Sequence, residues 1–439
     1  MATAHESGGR MSSVEKKNAE RRAQNEERRK LRSASPVLSS AFCVLRSAFC
    51  VLVLSACATT RPAVAPPPPP SYESAIAQQL SRPALHGAIW GILVEDEAGH
   101  VLYARNEHTL FMPASNRKLF AAATIVNCLG LGARIPTELW LDGEDVVLKG
   151  YGDPSLGSWR YGREDDLTEL ADLLLGRGVT RVRDVVADVS AYDRVTIPGS
   201  WKYGNLGYDY AAPVDALAWG ENEIPTDRAV ADPALHAANA LRGALVSRGI
   251  DVGSVRVQSE PRTYTTRLAT IDSPFVSHLL TTVLKNSHNL YTEMLFKRTG
   301  NGTYGEAFAG EQSMLLQEAG IARGEARFAD GSGLSPDDLV TPAAIIRILR
   351  WMNDPARRGT WWTLLAQPNN EGTLRRRLVP LEHRLRAKTG TINGVNALSG
   401  IIRMPDGSHR YFSVIVNHHL DDGDIAVEAI DAIVSELAR

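Results

Sequence analysis

Three short groupings along the chain hold residue types that can do acyl-transfer chemistry. Ser115-Asn116-Arg117-Lys118 offers a hydroxyl and an amine, Ser287-His288-Asn289 a second hydroxyl and an amide, and Lys388-Thr389-Gly390 a second amine followed by a hydroxyl and a glycine. At a helix start, positions i and i+3 share a face, so the Lys118 amine can reach the Ser115 hydroxyl. Positive potential at the helix N-terminus and desolvation both disfavour an ammonium, which frees the amine to take the serine proton. Ser-x-x-Lys is a cheap pattern, and Ser13-Val14-Glu15-Lys16 matches it inside a charge-rich tail. The other two are scarce: the chain contains one Ser-x-Asn, one Lys-Thr-Gly and only nine lysines, so a motif lysine is less often an accident.

Each grouping needs an element to hold it. Ser115 opens an apolar run to Leu129 that predicts a buried helix. Lys388-Thr389-Gly390 falls on a strand predicted over 384–393, with Thr391 and Asn393 beyond it. A strand edge beside a nucleophile can supply a backbone N–H for an oxyanion and a hydroxyl for a carboxylate. Gly390 would let a substrate approach the backbone closely. Strands over 88–95 and 101–105 form a hairpin around Glu97-Ala98-Gly99, and further strands cover 397–404 and 411–416. Five antiparallel strands, terminal helices and a helical region between them make an α+β layout. Residues 135–227 change texture, with short strands and many glycines and aromatics, and predict an inserted smaller domain. The remainder of the folded body is then 73–134 and 228–439.

The net charge of −2 predicts no attraction to nucleic acid. Cys128 is the one cysteine of the body, in the apolar run, and is expected to be a buried small hydrophobe. His418-His419 lacks the companion ligands of a metal site. Residues 1–57 hold a polar tail and a signal-like segment: Arg46, the short apolar stretch Ser47–Ala56, then Cys57. Leu54-Ser55-Ala56-Cys57 resembles a bacterial lipobox, which would lipidate Cys57 and anchor the protein to a membrane. Residues 58–72, with Pro66 to Pro70, read as a stiff extended spacer.

Ser-x-x-Lys, Ser-x-Asn and Lys-Thr-Gly in that order are the set of penicillin-interacting serine acyl-transferases. With Gly152-Asp153-Pro154-Ser155-Leu156, Asp330-Gly331-Ser332-Gly333-Leu334-Ser335 and Gly372-Thr373-Leu374, the chain resembles the class C low-molecular-mass penicillin-binding proteins, D-alanyl-D-alanine carboxypeptidases/endopeptidases of the DacB type, over about residues 72–439. The resemblance implies a penicillin-binding-protein/β-lactamase-like transpeptidase fold and action on peptidoglycan stem peptides and cross-links outside the cytoplasm. It also implies covalent inhibition by β-lactams, and neither a metal nor a cofactor. By position, Ser115 would be the nucleophile, Lys118 its base, Ser287 the relay of a proton to the leaving amine, Lys388 the electrostatic support of that step, and Asn289 an orienting amide. Thr389, Gly390, Thr391 and Asn393 would meet the substrate, and Asp188 its amino group. His288 stands where relatives often carry aspartate, and Pro336 where they often carry arginine. The same residues leave open a β-lactamase or esterase of this fold, and a non-enzymatic wall-binding lipoprotein.

Overall fold

Alternation of apolar residues in strands from the two ends of the chain builds one sheet with two buried faces. The structure is a computed structural model. It describes residues 72–439 except 225, 421 and 422, so the predicted tail, the signal-like segment and the lipidation at Cys57 lie outside the described residues. Helix α1 (Tyr72–Leu80) leads to β1 (Ile89–Glu95) and β2 (Val101–Arg105), and a short turn over Ala114–Asn116 leads into α2 (Arg117–Leu129). A second set follows: β3 (Pro136–Asp142), β4 (Asp145–Gly150), α3 (Asp166–Gly176), β5 (Arg181–Asp188), α4 (Pro233–Ser247), β6 (Asp251–Gln258) and β7 (Thr266–Asp272). Helices α5 (Val276–Lys285), α6 (Asn289–Thr299), α7 (Tyr304–Gln317) and α8 (Pro342–Met352) precede β8 (Leu385–Ile392), β9 (Val395–Arg403), β10 (His409–Asn417) and the closing helix α9 (Asp424–Leu437).

The main sheet is antiparallel throughout, in the order β8-β9-β10-β1-β2. Successive side chains point to opposite faces. Leu398, Ile402, Phe412 and Val414 therefore pack under α9 with Ile430 and Ile433. Ala397, Ile401, Tyr411 and Ile415 pack on the other face, against a helical core that includes Leu119, Leu280 and Leu349. With both faces covered, β8 is left as an edge strand, and its outer rim is where the functional groups collect.

The second sheet has the order β6-β5-β4-β3-β7 and is mixed, with β4–β5 and β5–β6 parallel. Helices α3 and α4 cover one face through Leu170, Leu174, Ala237 and Leu241 on Val146, Leu148 and Val185. This sheet runs past residue 227, the predicted end of the inserted stretch, because β7 pairs with β3 and β6 extends the parallel side. Cys128 differs from expectation as well: the buried face of α2 ends at Ile125, and Cys128 is exposed on the last turn.

Phe412 is fully buried in β10 beneath α9. Phe412→Ala should cost about 3–5 kcal/mol of folding stability in a denaturant melt, the range for deleting a buried phenylalanine.

Candidate active site

Ser115 sits on the turn Ala114–Asn116, two residues before α2, so its hydroxyl stands at the mouth of the helix instead of on its side. Two glycines fix that turn. A Cβ on Gly333, whose φ is +83°, would lie 2.0 Å from the Ala114 carbonyl oxygen. A Cβ on Gly390 would lie 2.7 Å from the Pro113 oxygen and 2.8 Å from Asn116 Nδ2. Gly390 is thus needed for contact between β8 and the nucleophile turn. Ala114, with φ 47°, occupies the left-handed region that a non-glycine residue keeps only when its neighbours hold it.

Arg117 anchors the far side of the helix start. It is fully buried, gives Nη1 and Nη2 to Glu311 at 2.6 and 2.9 Å, gives Nε to the Asp330 carbonyl at 2.8 Å, and lies 3.9 Å over the Phe328 ring. Such a pair can persist in the interior because both charges are matched by bidentate hydrogen bonds.

Lys118 points the other way. Its Nζ is 2.6 Å from Asn289 Oδ1, 2.6 Å from the Ser332 carbonyl oxygen and 3.0 Å from Ser115 Oγ. The first two partners can only accept, whereas a hydroxyl can donate. A neutral amine therefore spends its two N–H bonds on Asn289 and Ser332 and turns its lone pair toward the Ser115 hydroxyl. Burial drives this state: it pulls Lys118 down to about 7, although Asp330 and Glu293 favour the charged form. The Ser332 carbonyl is held by its loop. Asp330 Oδ1 accepts from the Gly333 N–H at 2.7 Å, and its Oδ2 accepts from the Ser335 N–H at 2.7 Å and Trp201 Nε1 at 2.8 Å. Glu293 accepts from the N–H groups of Gly331 and Ser332.

Asn289 begins α6 and donates Nδ2 to the Tyr210 carbonyl at 2.7 Å, which fixes its Oδ1 toward Lys118. Lys388 Nζ is 2.9 Å from Ser287 Oγ and 2.9 Å from the Thr389 carbonyl oxygen. Burial, and then the nearby Lys118, push Lys388 well below its ordinary value. On β8, Ala387 donates its N–H outward to Ala366 at 3.0 Å. Alternation along an antiparallel strand then turns the N–H of Thr391 to the same open edge.

A cavity of about 490 Å³ opens over these groups, lined among others by Ser115, Ser287, Asn289, Thr391 and Asn393. Thr389 is set back, its hydroxyl 2.9 Å from that of Thr373, and Thr391 Oγ1 accepts from Asn396 Nδ2 at 3.1 Å. Asp188 is not among the residues lining this cavity. It is fully buried at the end of β5, and its carboxylate accepts from Tyr264 OH at 2.7 Å and the Ser190 N–H at 2.9 Å, with Lys149 Nζ at 3.5 Å.

The D-Ala-D-Ala carboxypeptidase 3 (S13) family matches residues 72–227 and 217–438. The chain belongs to this family. It is 28% identical over 455 residues to a D-alanyl-D-alanine carboxypeptidase from an Actinomadura strain, covering 82% of this chain and 83% of that one. It is also 28% identical over 410 residues to carboxypeptidase DacB from Mycolicibacterium smegmatis, covering 86% and 88%. Penicillin binding protein 4 (dacB) from Haemophilus influenzae has the same fold, with TM-score 0.74 and 20% identity over 83% of this chain and 99% of that one.

This carboxypeptidase, a hydrolase, uses groups that pattern reading did not find. The Ser332 carbonyl that holds Lys118 and the Tyr210 carbonyl that holds Asn289 come from loops whose closeness to the motifs no spacing rule predicts. Lys202 and Tyr210 line the cavity from the stretch between β5 and α4. Gly390→Ala should push the Ser115 turn out of place and lower turnover of a D-Ala-D-Ala peptide about a hundredfold, as expected for a displacement of about 1 Å. Steady-state kinetics on folded protein checks it.

Proposed function

We propose that the protein is a serine D-Ala-D-Ala carboxypeptidase/endopeptidase that cleaves peptidoglycan stem peptides and cross-links through an acyl-enzyme on Ser115. The observation that carries this reading is the placement of Lys118 Nζ between two obligate acceptors and the Ser115 hydroxyl. Lys118 takes the proton from Ser115 as its oxygen bonds to the substrate carbonyl carbon. Negative charge on the carbonyl oxygen is met by the N–H groups of Ser115 and Thr391. As the C–N bond breaks, the proton returns to the leaving amine through Ser287, with Lys388 behind it, and water then frees the acyl group from Ser115. Asn289 orients both Lys118 and the substrate amide. Thr391 and Asn393 line the cavity where the terminal carboxylate would lie, and Thr389 supports that wall from behind.

A penicillin would follow the same path, but its amine stays tethered to the acyl group and blocks water. In this reading residues 136–272 form the inserted domain. The catalytic body stands outside the cytoplasm on the 58–72 spacer, anchored by lipid on Cys57. The relatives named for D-alanyl-D-alanine cleavage and penicillin binding support it, as does the lipobox-like sequence.

Mass spectrometry after incubation with a fluorescent penicillin should find one adduct per chain, on Ser115, and none in Ser115→Ala. Unlabelled folded wild-type protein would contradict the reading. The base is active when deprotonated and its value lies at about 7. The rate of acylation should therefore rise with pH through about 7 and be lost as the medium becomes acidic, measured as a pH series of labelling rates.

A further inference from the structure

Ser287 has φ 63°, a left-handed conformation that its surroundings must enforce. The next side chain supplies the grip. His288 Nε2 lies 3.1 Å from Glu221 Oε2 and 3.7 Å from Glu223 Oε1. With carboxylates on both sides, that nitrogen carries a hydrogen. The His288 side chain is 10% exposed and rests on the Tyr291 ring at 4.6 Å between centroids. Its backbone is pinned as well, the carbonyl accepting from Thr292 Oγ1 at 2.7 Å.

Glu221 is equally constrained. It is buried, has φ 62°, and accepts from Ser158 Oγ at 2.6 Å, Tyr291 OH at 3.0 Å and Arg160 Nε at 3.0 Å on each oxygen. Because Arg160 already serves both oxygens, the Glu221, Glu223 and His288 group is an ion-paired latch and not a vacant cation site. The same stretch of chain supplies the Tyr210 carbonyl to Asn289. Both residues that follow Ser287 are therefore tied to one segment returning from the second sheet.

We infer that His288, gripped by Glu221, is a positioning residue that holds the Ser287 hydroxyl on Lys388 for protonation of the leaving amine. This rests on the role proposed above for Ser287. It has a chemical signature. Cleaving a peptide expels an amine, which must gain a proton as the C–N bond breaks, whereas a thioester expels a thiolate that leaves without one. Misplacing Ser287 slows the first reaction selectively. Loss of general structure slows both.

The test compares kcat/KM of the full chain and of His288→Ala, His288→Gln, Glu221→Gln and Ser287→Ala on a D-Ala-D-Ala peptide and on a thioester of the same acyl group. His288→Ala and Glu221→Gln should lower peptide cleavage about tenfold or more, the scale of a misaligned proton transfer, and thioester cleavage far less. His288→Gln, which keeps an N–H donor for Glu221, should restore most of the peptide activity. Ser287→Ala should show the same bias toward the thioester. If Ser287→Ala shows the bias and the His288 and Glu221 variants lower both substrates in proportion or neither, the positioning inference is overturned while the relay reading stands. If Ser287→Ala shows no bias, both fall.

Discussion

Two amines kept out of water in one cleft set the demands on everything around them. An ammonium moved into a protein interior loses several kcal/mol of hydration. Lys118 and Lys388 are both fully buried, and burial together with the nearby Lys118 makes the charge on Lys388 harder to keep. Lys118 responds with a lowered proton affinity and with partners that take its N–H bonds and leave its lone pair for Ser115. Those partners come from α6 and from the loop over residues 330–335, neither of which adjoins the nucleophile in sequence. The fold is organised to deliver them to one point.

Rigidity at that point is produced locally. Asp330 gathers two backbone N–H groups and the Trp201 indole, and Glu293 gathers two more N–H groups from the same loop. Buried carboxylates that accept several donors act as fixed nodes. The Arg117–Glu311 pair does the same for the opposite side of α2. The nucleophile turn is thereby pressed between the 330–335 loop and the edge of β8, with Gly333 and Gly390 providing the clearance. The second sheet contributes at a distance: the chain that leaves it carries Trp201, Tyr210 and Glu221 to the motif residues.

Much of this was legible in the amino-acid sequence. Ser115, Lys118, Ser287, Asn289 and Lys388 were expected to meet, and they do, because the apolar run after Ser115 and the strand around Lys388 are strong local signals. The five-stranded α+β layout followed from the same kind of alternation. What escaped reading depends on contacts between distant segments. The second sheet recruits Thr266–Asp272 by pairing with β3, which no composition change marks. Asp188 is drawn into a buried bond with Tyr264, 76 positions away. Gly390 meets the Pro113 backbone, and Cys128 lies past the point where α2 stops being covered. A resemblance transfers side chains well. It does not transfer the carbonyls of Ser332 and Tyr210, whose positions are set by loops.

Titrating the Lys118 amine itself tests most directly whether a neutral base stands beside Ser115. Protein carrying isotopically labelled lysine, with the Lys118 signal assigned by its loss in Lys118→Arg, gives the side-chain shift as a function of pH by nuclear magnetic resonance. A midpoint at about 7 is the predicted result. A midpoint near the ordinary lysine value of about 10.4 would mean that the ammonium persists at neutral pH and that Ser115 has no base beside it.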